Sequence, residues 1–481
     1  MCVRGAASSV VDPDLGWHLQ TAAWILQHHG VPHSDPFSRL TAGAPWQAYS
    51  WLFDLLLLKL CHWLSLEGML AFTAAMAAAI TAAVYRLTSR AQPDFVKSAL
   101  LTAAALACIL RDFTPRPWLF TILFFAVELD VLLDFRQTRR WRTLLWLPPI
   151  FALWANLHIQ FIDGLLVLAI AAAEPLLARW IGWGERRKNP GALWMTLAGC
   201  LAATLANPYG LTIYKTAWVL GSQAGVLNTV SEMHALAFRS LSDYLLLFLL
   251  LATTALLFRR GRPEPFETLL LAMSAVLSFR SGRDAWMLAI VTVAILSARW
   301  VQESEEPRRM PAWSLAVTMG AAAAVTAAGA MALHVSNAGL RTMEAKELPV
   351  QAVEVVQQRH YSGPLFNDYN WGGYLIWKLD EPVSIDGRAG LYGDKSIDES
   401  ISTWAGGPKW AANPQLESAA LVIAPQGDAL TQLLRMDAQF QLVYEDKVAA
   451  VFVAQKDEAT GTSLAAMKAP ENHGDNAEEQ R

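Results

Sequence analysis

The sequence predicts a polytopic α-helical membrane protein with a small α/β domain at its C-terminal end. The chain of 481 residues is 54% hydrophobic and only 17% charged, with 20 Trp, which is too apolar for a single water-soluble globule. Its apolar residues gather between about residues 68 and 335 into runs separated by charged loops. After residue 347 short apolar runs alternate with helical patterns, as in a small α/β domain.

The expected organisation is an extracytoplasmic segment 1–67, a transmembrane helical domain 68–335, a linker 336–347, a soluble domain 348–455 and a disordered tail 456–481. The stretch from Asp12 to Ser50 is polar and His-rich. A helix beginning at Pro13 puts Leu15, Leu19, Ala22 and Leu26 on one face and Asp14, His18 and Thr21 on another, so it is expected to lie along the membrane surface. Asp12-Pro13-Asp14 also reads as an ordinary helix start, with Asp12 as the cap and Pro13 at the first helical position. The apolar run 51–64 is interrupted by Asp54 and Lys59 and reads as a second surface helix.

Apolar runs follow at about 68–87, 95–110, 117–135, 143–157, 161–178, 192–206, 244–258, 266–279, 285–298 and 312–335. Several are shorter than the roughly 20 residues that span comfortably, so a count of about ten spans carries an error of two. The loops after the first, third, fifth, seventh and ninth runs hold seventeen Lys and Arg, while the alternate loops hold six: Arg111, Arg116, Lys215, Arg239, Arg280 and Arg283. The positive-inside rule makes the first set cytoplasmic, which puts residues 1–67 and everything after 335 on the extracytoplasmic side. A segment on that side needs a spanning helix ahead of it, and residues 1–11 are too short for one, so an earlier natural start is expected.

In the soluble domain the expected strands are 364–367, 383–386, 420–424, 441–444 and 448–454, with helices at 349–359, 371–379, 396–404 and 427–435. A net charge of −4 and the lack of a basic stripe with interleaved aromatics argue for no nucleic acid partner. Cys2, Cys61, Cys108 and Cys200 are far apart and lack ligand spacing, so neither disulfides nor structural zinc are expected. There is no GxGxxG, Walker, GxSxG or HExxH motif.

Chemistry is sought where polar groups meet the membrane edge. The extracytoplasmic loops carry Arg116 in RDFTPRPWLF, Asn156 and His158 in WANLHIQFID, Asn207 and Tyr209 in ANPYG, and Arg280 and Arg283 in SFRSGRDAW. Singly, each arginine reads as a side chain snorkelling to lipid headgroups and His158 as a hydrogen-bonded interfacial histidine. Together, four loops facing a carboxylate-bearing surface helix suit a lipid-linked phosphate substrate. Glu128, Asp130 and Glu174 read as buried partners of cytoplasmic arginines. In the soluble domain, FNDYNWGGYLIW and SIDGRAGLYGD bring Asn367, Asp368, Trp371, Asp386, Arg388 and Tyr392 near strand ends, where α/β domains place ligands. Their glycines serve equally well as turn residues.

An acidic DPD motif beside an amphipathic helix, then HHGVPHSDPF, a second surface helix and many short spans with an outer α/β domain, resembles the C-type glycosyltransferase (GT-C) fold. Protein O-mannosyltransferases and bacterial lipid A aminoarabinose transferases are of this style. More narrowly, DPDLGWHL, RPWLF, WANLH, NPYG, NDYNWGGYLIW and IDGRAGLYGD resemble a group of bacterial glycosyltransferase-like membrane proteins, over residues 12 to 454.

The resemblance implies a multi-pass protein of the bacterial inner membrane that passes a sugar from a polyprenyl phosphate to an unknown glycan, lipid or protein acceptor. Asp12 or Asp14 would be the general base, Arg116, Arg280 or Arg283 would stabilise the leaving phosphate, and His18 would orient Asp14 or assist substrate binding. A divalent cation at Asp12 and Asp14 is left open, because relatives differ on metal. Gly16 stands where a second bulky aromatic is expected, and HIQFID where a glycine-rich turn is expected. The rival readings are a non-catalytic membrane component of envelope or glycan assembly whose outer domain binds glycan or protein, and a transporter with Glu128 near the bilayer midplane.

Overall fold

The computed structural model describes residues 11–181, 190–222, 233–259, 263–300, 320 and 336–455. The expected span 312–335 apart from Gly320, the tail from 456 and residues 1–10 lie outside the described residues.

Helix α1 (Leu15–His28) starts two residues later than the Pro13 start read from the sequence. Asp14 holds the cap position but makes no capping bond, because both acidic groups of the motif turn instead to a distant arginine. Leu15, Leu19 and Ala22 are buried, whereas Leu26, assigned to the same face, is 58% exposed. The opposite face is not open to solvent either, since His18 and Thr21 are buried. Leu15 and Leu19 join the core of the helical bundle while Trp17 joins that of the α/β domain, so α1 is packed between the two.

Helix α2 (Trp51–Leu64) buries Phe53, Asp54 and Leu57 and exposes Trp63. The bundle continues with α3 (Glu67–Ala91), α4 (Phe95–Ile109), α5 (Trp118–Thr138), α6 (Leu147–Leu157), α7 (Phe161–Ile181), α8 (Pro190–Thr204), α9 (Thr212–Ser222), α10 (Leu241–Arg259), α11 (Pro265–Arg280) and α12 (Ala285–Arg299). Among the described residues, the helices Glu67–Ala91, Phe161–Trp180 and Leu241–Arg259 are long and apolar enough to cross a membrane. The others are shorter or less apolar, as several of the sequence runs are. Exposed Leu100, Leu176, Met195, Phe248, Leu251 and Val276 give the bundle an outward apolar surface of the kind that suits contact with lipid.

Two of the three acidic residues read as buried partners of arginines are paired: Asp130 with Arg86 and Arg90, and Glu174 with Arg136. Glu128 differs: both its carboxyl oxygens are buried without a hydrogen-bond partner, and the missing side chain of Gly164 makes room for them.

Residues 336–347, read from the sequence as a linker, form instead helix α13 (Asn337–Glu347), capped by Ser336. Asn337 and Glu67 exchange two hydrogen bonds of 3.0 and 3.1 Å, tying this helix to the start of α3. Helix α14 (Val350–Gln358) leads into a four-stranded sheet ordered β1-β2-β4-β3, where β1 is Leu365–Asn367, β2 Leu421–Pro425, β3 Phe440–Glu445 and β4 Ala449–Ala454. β1 and β2 are parallel and the other pairs antiparallel.

The segment 383–386, expected as a strand, is absent from this sheet. Val383 pairs with the N-terminal segment, accepting from Arg39 N and donating to Phe37 O. The Asn367 side chain satisfies the backbone at Ser384 and Ile385 in place of a ladder. Helices α15 (Gly372–Leu379) and α16 (Ala389–Trp404, broken at Gly393) cover the sheet region beside it.

Candidate active site

The site forms where α1 meets the loop before α5 and the turn before α12. Asp12 and Asp14 grip one guanidinium: Arg116 Nε donates to Asp12 Oδ2, and Arg116 Nη1 stands 2.7 Å from Asp14 Oδ2. Asp12 Oδ1 also accepts from Asp14 N at 2.9 Å, which fixes the tripeptide turn. Arg116 lies 4.8 Å over the ring of Trp118, and Arg283 lies 5.9 Å over the same ring. The indole therefore holds two like charges side by side, and cation–π attraction offsets their repulsion. Its Nε1 donates to Asp112 O at 2.7 Å, which locks the ring.

Trp118 and Arg283 also line a cavity of about 360 Å³ together with Arg111, Asp112, His234 and Asp243. The Nε of Arg283 is buried without a hydrogen-bond partner. Arg111 is already engaged by the Gly282 carbonyl and by Asp243 at 3.6 Å.

His18 Nδ1 meets Asp54 Oδ1 at 2.6 Å inside the protein. Burial first, then the charge of Arg116, lowers the His18 pKa well below its ordinary value, and burial raises that of Asp54. Both shifts favour an uncharged imidazole beside an uncharged carboxyl. The apolar run of α2 is interrupted by Asp54 for this reason. His158 meets the Thr121 hydroxyl at 2.8 Å, and that hydroxyl accepts from Trp154 Nε1. Burial, then the nearby Arg283, pushes the His158 pKa down to about 3.

Several residues singled out from the sequence serve the scaffold instead. Arg280 turns away and donates to Gly221 O at 2.7 Å. Asn156 accepts from Trp51 Nε1 and donates to the Ala152 and Ala206 carbonyls. Asn207 closes the NPYG turn, and Tyr209 pins the N-terminal segment, donating to Pro32 O and accepting from Ala48 N. In the α/β domain, Asn367 bonds the 384–385 backbone, Asp368 accepts from Asn370 N, and Trp371 donates to Glu347 O.

Asp386, Arg388 and Tyr392 do converge, on a residue not singled out from the sequence. Arg388 donates to Asp386 Oδ2 at 2.6 Å and to Asp35 Oδ1 at 2.7 Å, and Tyr392 donates to Asp386 Oδ2 at 2.5 Å. Burial alone would lower the Arg388 pKa, but Asp386, Tyr392 and Asp35 outweigh it and raise it, so the guanidinium is charged. Asp35, Trp118 and Gly387 lie within HHGVPHSDPF, RPWLF and IDGRAGLYGD, and Asp54 interrupts the apolar run 51–64, yet none of the four stands out in the sequence as a site residue.

The two carboxylates at Asp12 and Asp14 close on one guanidinium, so a divalent cation held by both would compete with Arg116. Among the described residues, no group of three or more His, Cys, Asp or Glu is arranged to hold a metal.

No protein-family model and no curated protein matches the chain. Solved structures do. The oligosaccharyltransferase AglB of Archaeoglobus fulgidus, in complex with an inhibitory peptide and a dolichol-phosphate, is similar over 94% of this chain and 71% of its own, with a TM-score of 0.53 and 10% identity. The apo oligosaccharyltransferase of that organism is similar over 86% of this chain and 66% of its own, with a TM-score of 0.50 and 11% identity. ArnT from Cupriavidus metallidurans bound to undecaprenyl phosphate covers 97% of its length and 96% of this chain, with a TM-score of 0.48 and 12% identity. At these identities the likeness is one of architecture, a helical bundle bearing an α/β domain at one end: the chain has the C-type glycosyltransferase fold.

Proposed function

We propose that the protein is a membrane glycosyltransferase that moves a sugar from a polyprenyl-phosphate donor to an acceptor on the extracytoplasmic side of a bacterial inner membrane. The observation that supports this most is the pairing of two adjacent carboxylates with Arg116 beside the same indole that carries Arg283 into a cavity. At about 360 Å³ that cavity has room for a phosphate and the first sugar of a lipid-linked donor.

Asp14 acts as the general base. Its side chain is more exposed than that of Asp12, 17% against 5%, and Asp12 is spent on Arg116 and on the Asp14 amide. The acceptor proton passes to Asp14 while the acceptor oxygen or nitrogen attacks the anomeric carbon. The bond from that carbon to the phosphate oxygen breaks with inversion, and the electron pair leaves with the polyprenyl phosphate. Arg283 and Arg116 stabilise the charge that develops there.

Arg283→Ala is expected to weaken undecaprenyl phosphate binding by about tenfold or more, the loss of a charge-assisted hydrogen bond. Arg280→Ala is expected to leave binding within about twofold, because Arg280 bonds a backbone carbonyl elsewhere. Titration of detergent-solubilised protein with the lipid checks this, and equal losses in both variants would reject the phosphate site.

The reading includes about ten spans, with residues 1–67 and 348–455 outside the cytoplasm. Alkaline phosphatase fused after Arg481 is expected to be active and green fluorescent protein at the same place dark; the reverse result sinks the topology. Full complementation of a deletion strain by a chain carrying both Asp12→Asn and Asp14→Asn would replace catalysis with a binding role in glycan or envelope assembly.

A further inference from the structure

The α/β domain reaches the carboxylate pair at two places. At the first, α1 and α15 touch backbone to backbone: a β-carbon on Gly16 would overlap Gly373 O, and one on Gly373 would overlap Pro13 O. A bulky aromatic at 16, as the resemblance calls for, would hold these helices apart. At the second, a β-carbon on Gly387 would overlap Asp14 Oδ1, while Asp14 Oδ2 is held from the other side by Arg116 at 2.7 Å. The Asp14 carboxylate thus stands between a guanidinium and the backbone of the turn 386–388.

That turn has little freedom to give way. Tyr369 donates to Gly387 O at 3.2 Å, and Arg388 N donates to Asp386 Oδ1 at 2.9 Å. The Arg388 guanidinium bridges Asp386 and Asp35 and stacks over Phe37 and Trp46 at 5.3 and 4.6 Å. Asp35, Asp386, Arg388 and Tyr392 are all buried, so moving the turn would break charged hydrogen bonds away from water.

We propose that Gly387 is a positioning residue for the Asp14 carboxylate, with the Asp35–Arg388–Asp386–Tyr392 network holding its turn in place. The geometric part stands without any activity; its catalytic consequence rests on Asp14 being the base. A base must come within about 2.6–3.2 Å of the proton it removes, and a displacement of about 1 Å costs on the order of a hundredfold.

The test is a double-mutant cycle in the full chain in lipid nanodiscs, with Gly387→Ala made in the wild-type and Asp14→Ala backgrounds and Gly427→Ala as control. Gly427 is in the same domain and has nothing within 4 Å of where a β-carbon would stand. Gly387→Ala is expected to lower the Tm in the wild-type background and to lose most of that effect in the Asp14→Ala background, because the clash partner is gone. Equal falls in both backgrounds, or no fall in either, overturn the proposal. If Gly387→Ala fails to fold, folded protein recovered in the Asp14→Ala background is the supporting outcome and continued failure the opposing one.

In the transfer assay Gly387→Ala is expected to lower kcat by about a hundredfold with donor KM within about twofold, since Arg283 and the cavity it lines are untouched. Unchanged kcat in a variant that shows the coupled Tm removes the catalytic part alone. If Asp14→Asn is fully active, the base assignment fails while the cycle still decides the geometry.

Discussion

Asp14→Asn is expected to slow sugar transfer by about 10²- to 10⁴-fold, the usual worth of a general base, with donor KM nearly unchanged. Asparagine keeps the size of the side chain, so the contact with Gly387 survives and only the proton acceptor is lost. Asp12→Asn is expected to cost less, about tenfold, because Asp12 acts through Arg116 and the Asp14 amide and not on the acceptor. The check is release of labelled sugar from a polyprenyl-phosphate donor by each purified variant. A rate for Asp14→Asn within threefold of wild type would sink the assignment, and a reversed order of the two variants would hand the role to Asp12.

Arg388→Ala is expected to destabilise the docked α/β domain by about 3–5 kcal/mol, because it strands two buried carboxylates. The side chains of Asp35 and Asp386 are fully buried and that of Arg388 is 3% exposed, so water cannot take the place of the guanidinium without opening the interface. Asp35 keeps Phe37 N, Ser38 and Thr41 as donors, which stabilise its charge but do not neutralise it. Arg388→Lys restores one charge without the forked geometry and is expected to fall between the two. The measurements are a thermal melt at fixed scan rate and trypsin cleavage at Arg39. Arg39 bonds the Leu365 carbonyl and Ser418 in the docked state and becomes accessible when the domain lifts. An Arg388→Ala protein with wild-type melting and no new cleavage would show that apolar packing alone holds the domain.

The two networks separate the residues that are legible in the sequence from those that only the fold brings together. Asp12, Asp14, Arg116 and Arg283 are legible as charges beside a membrane edge; Arg116 and Arg283 lie over one indole, and both acids bind Arg116. Arg280 belongs to the same short motif as Arg283, three residues away, yet points to α9. Spacing alone cannot separate the two, because the chain leaves α11 between them and starts a tight turn. Asn207 and Tyr209 in NPYG, and Asn367 in FNDYNW, look like ligand-binding residues for the same reason that they make good turns: short polar side chains bond nearby backbone. The segment 383–386 is no strand of the sheet because the Val383 backbone pairs with residues 37–39, far away in the chain, and the Asn367 side chain takes the backbone of Ser384 and Ile385.

Composition and apolar periodicity were enough for the membrane bundle and the α/β domain, since burial in lipid or in a sheet is dictated by which residues repeat at which interval. The quoted motifs were enough for the fold. Which carboxylate meets which guanidinium was not legible, because such pairs join residues up to 353 positions apart and any of many arginines satisfies the same rule of charge. The choice is made by close approach at Gly16, Gly373 and Gly387, where the lack of a side chain lets remote segments touch and leaves two acids facing Arg116 and two facing Arg388.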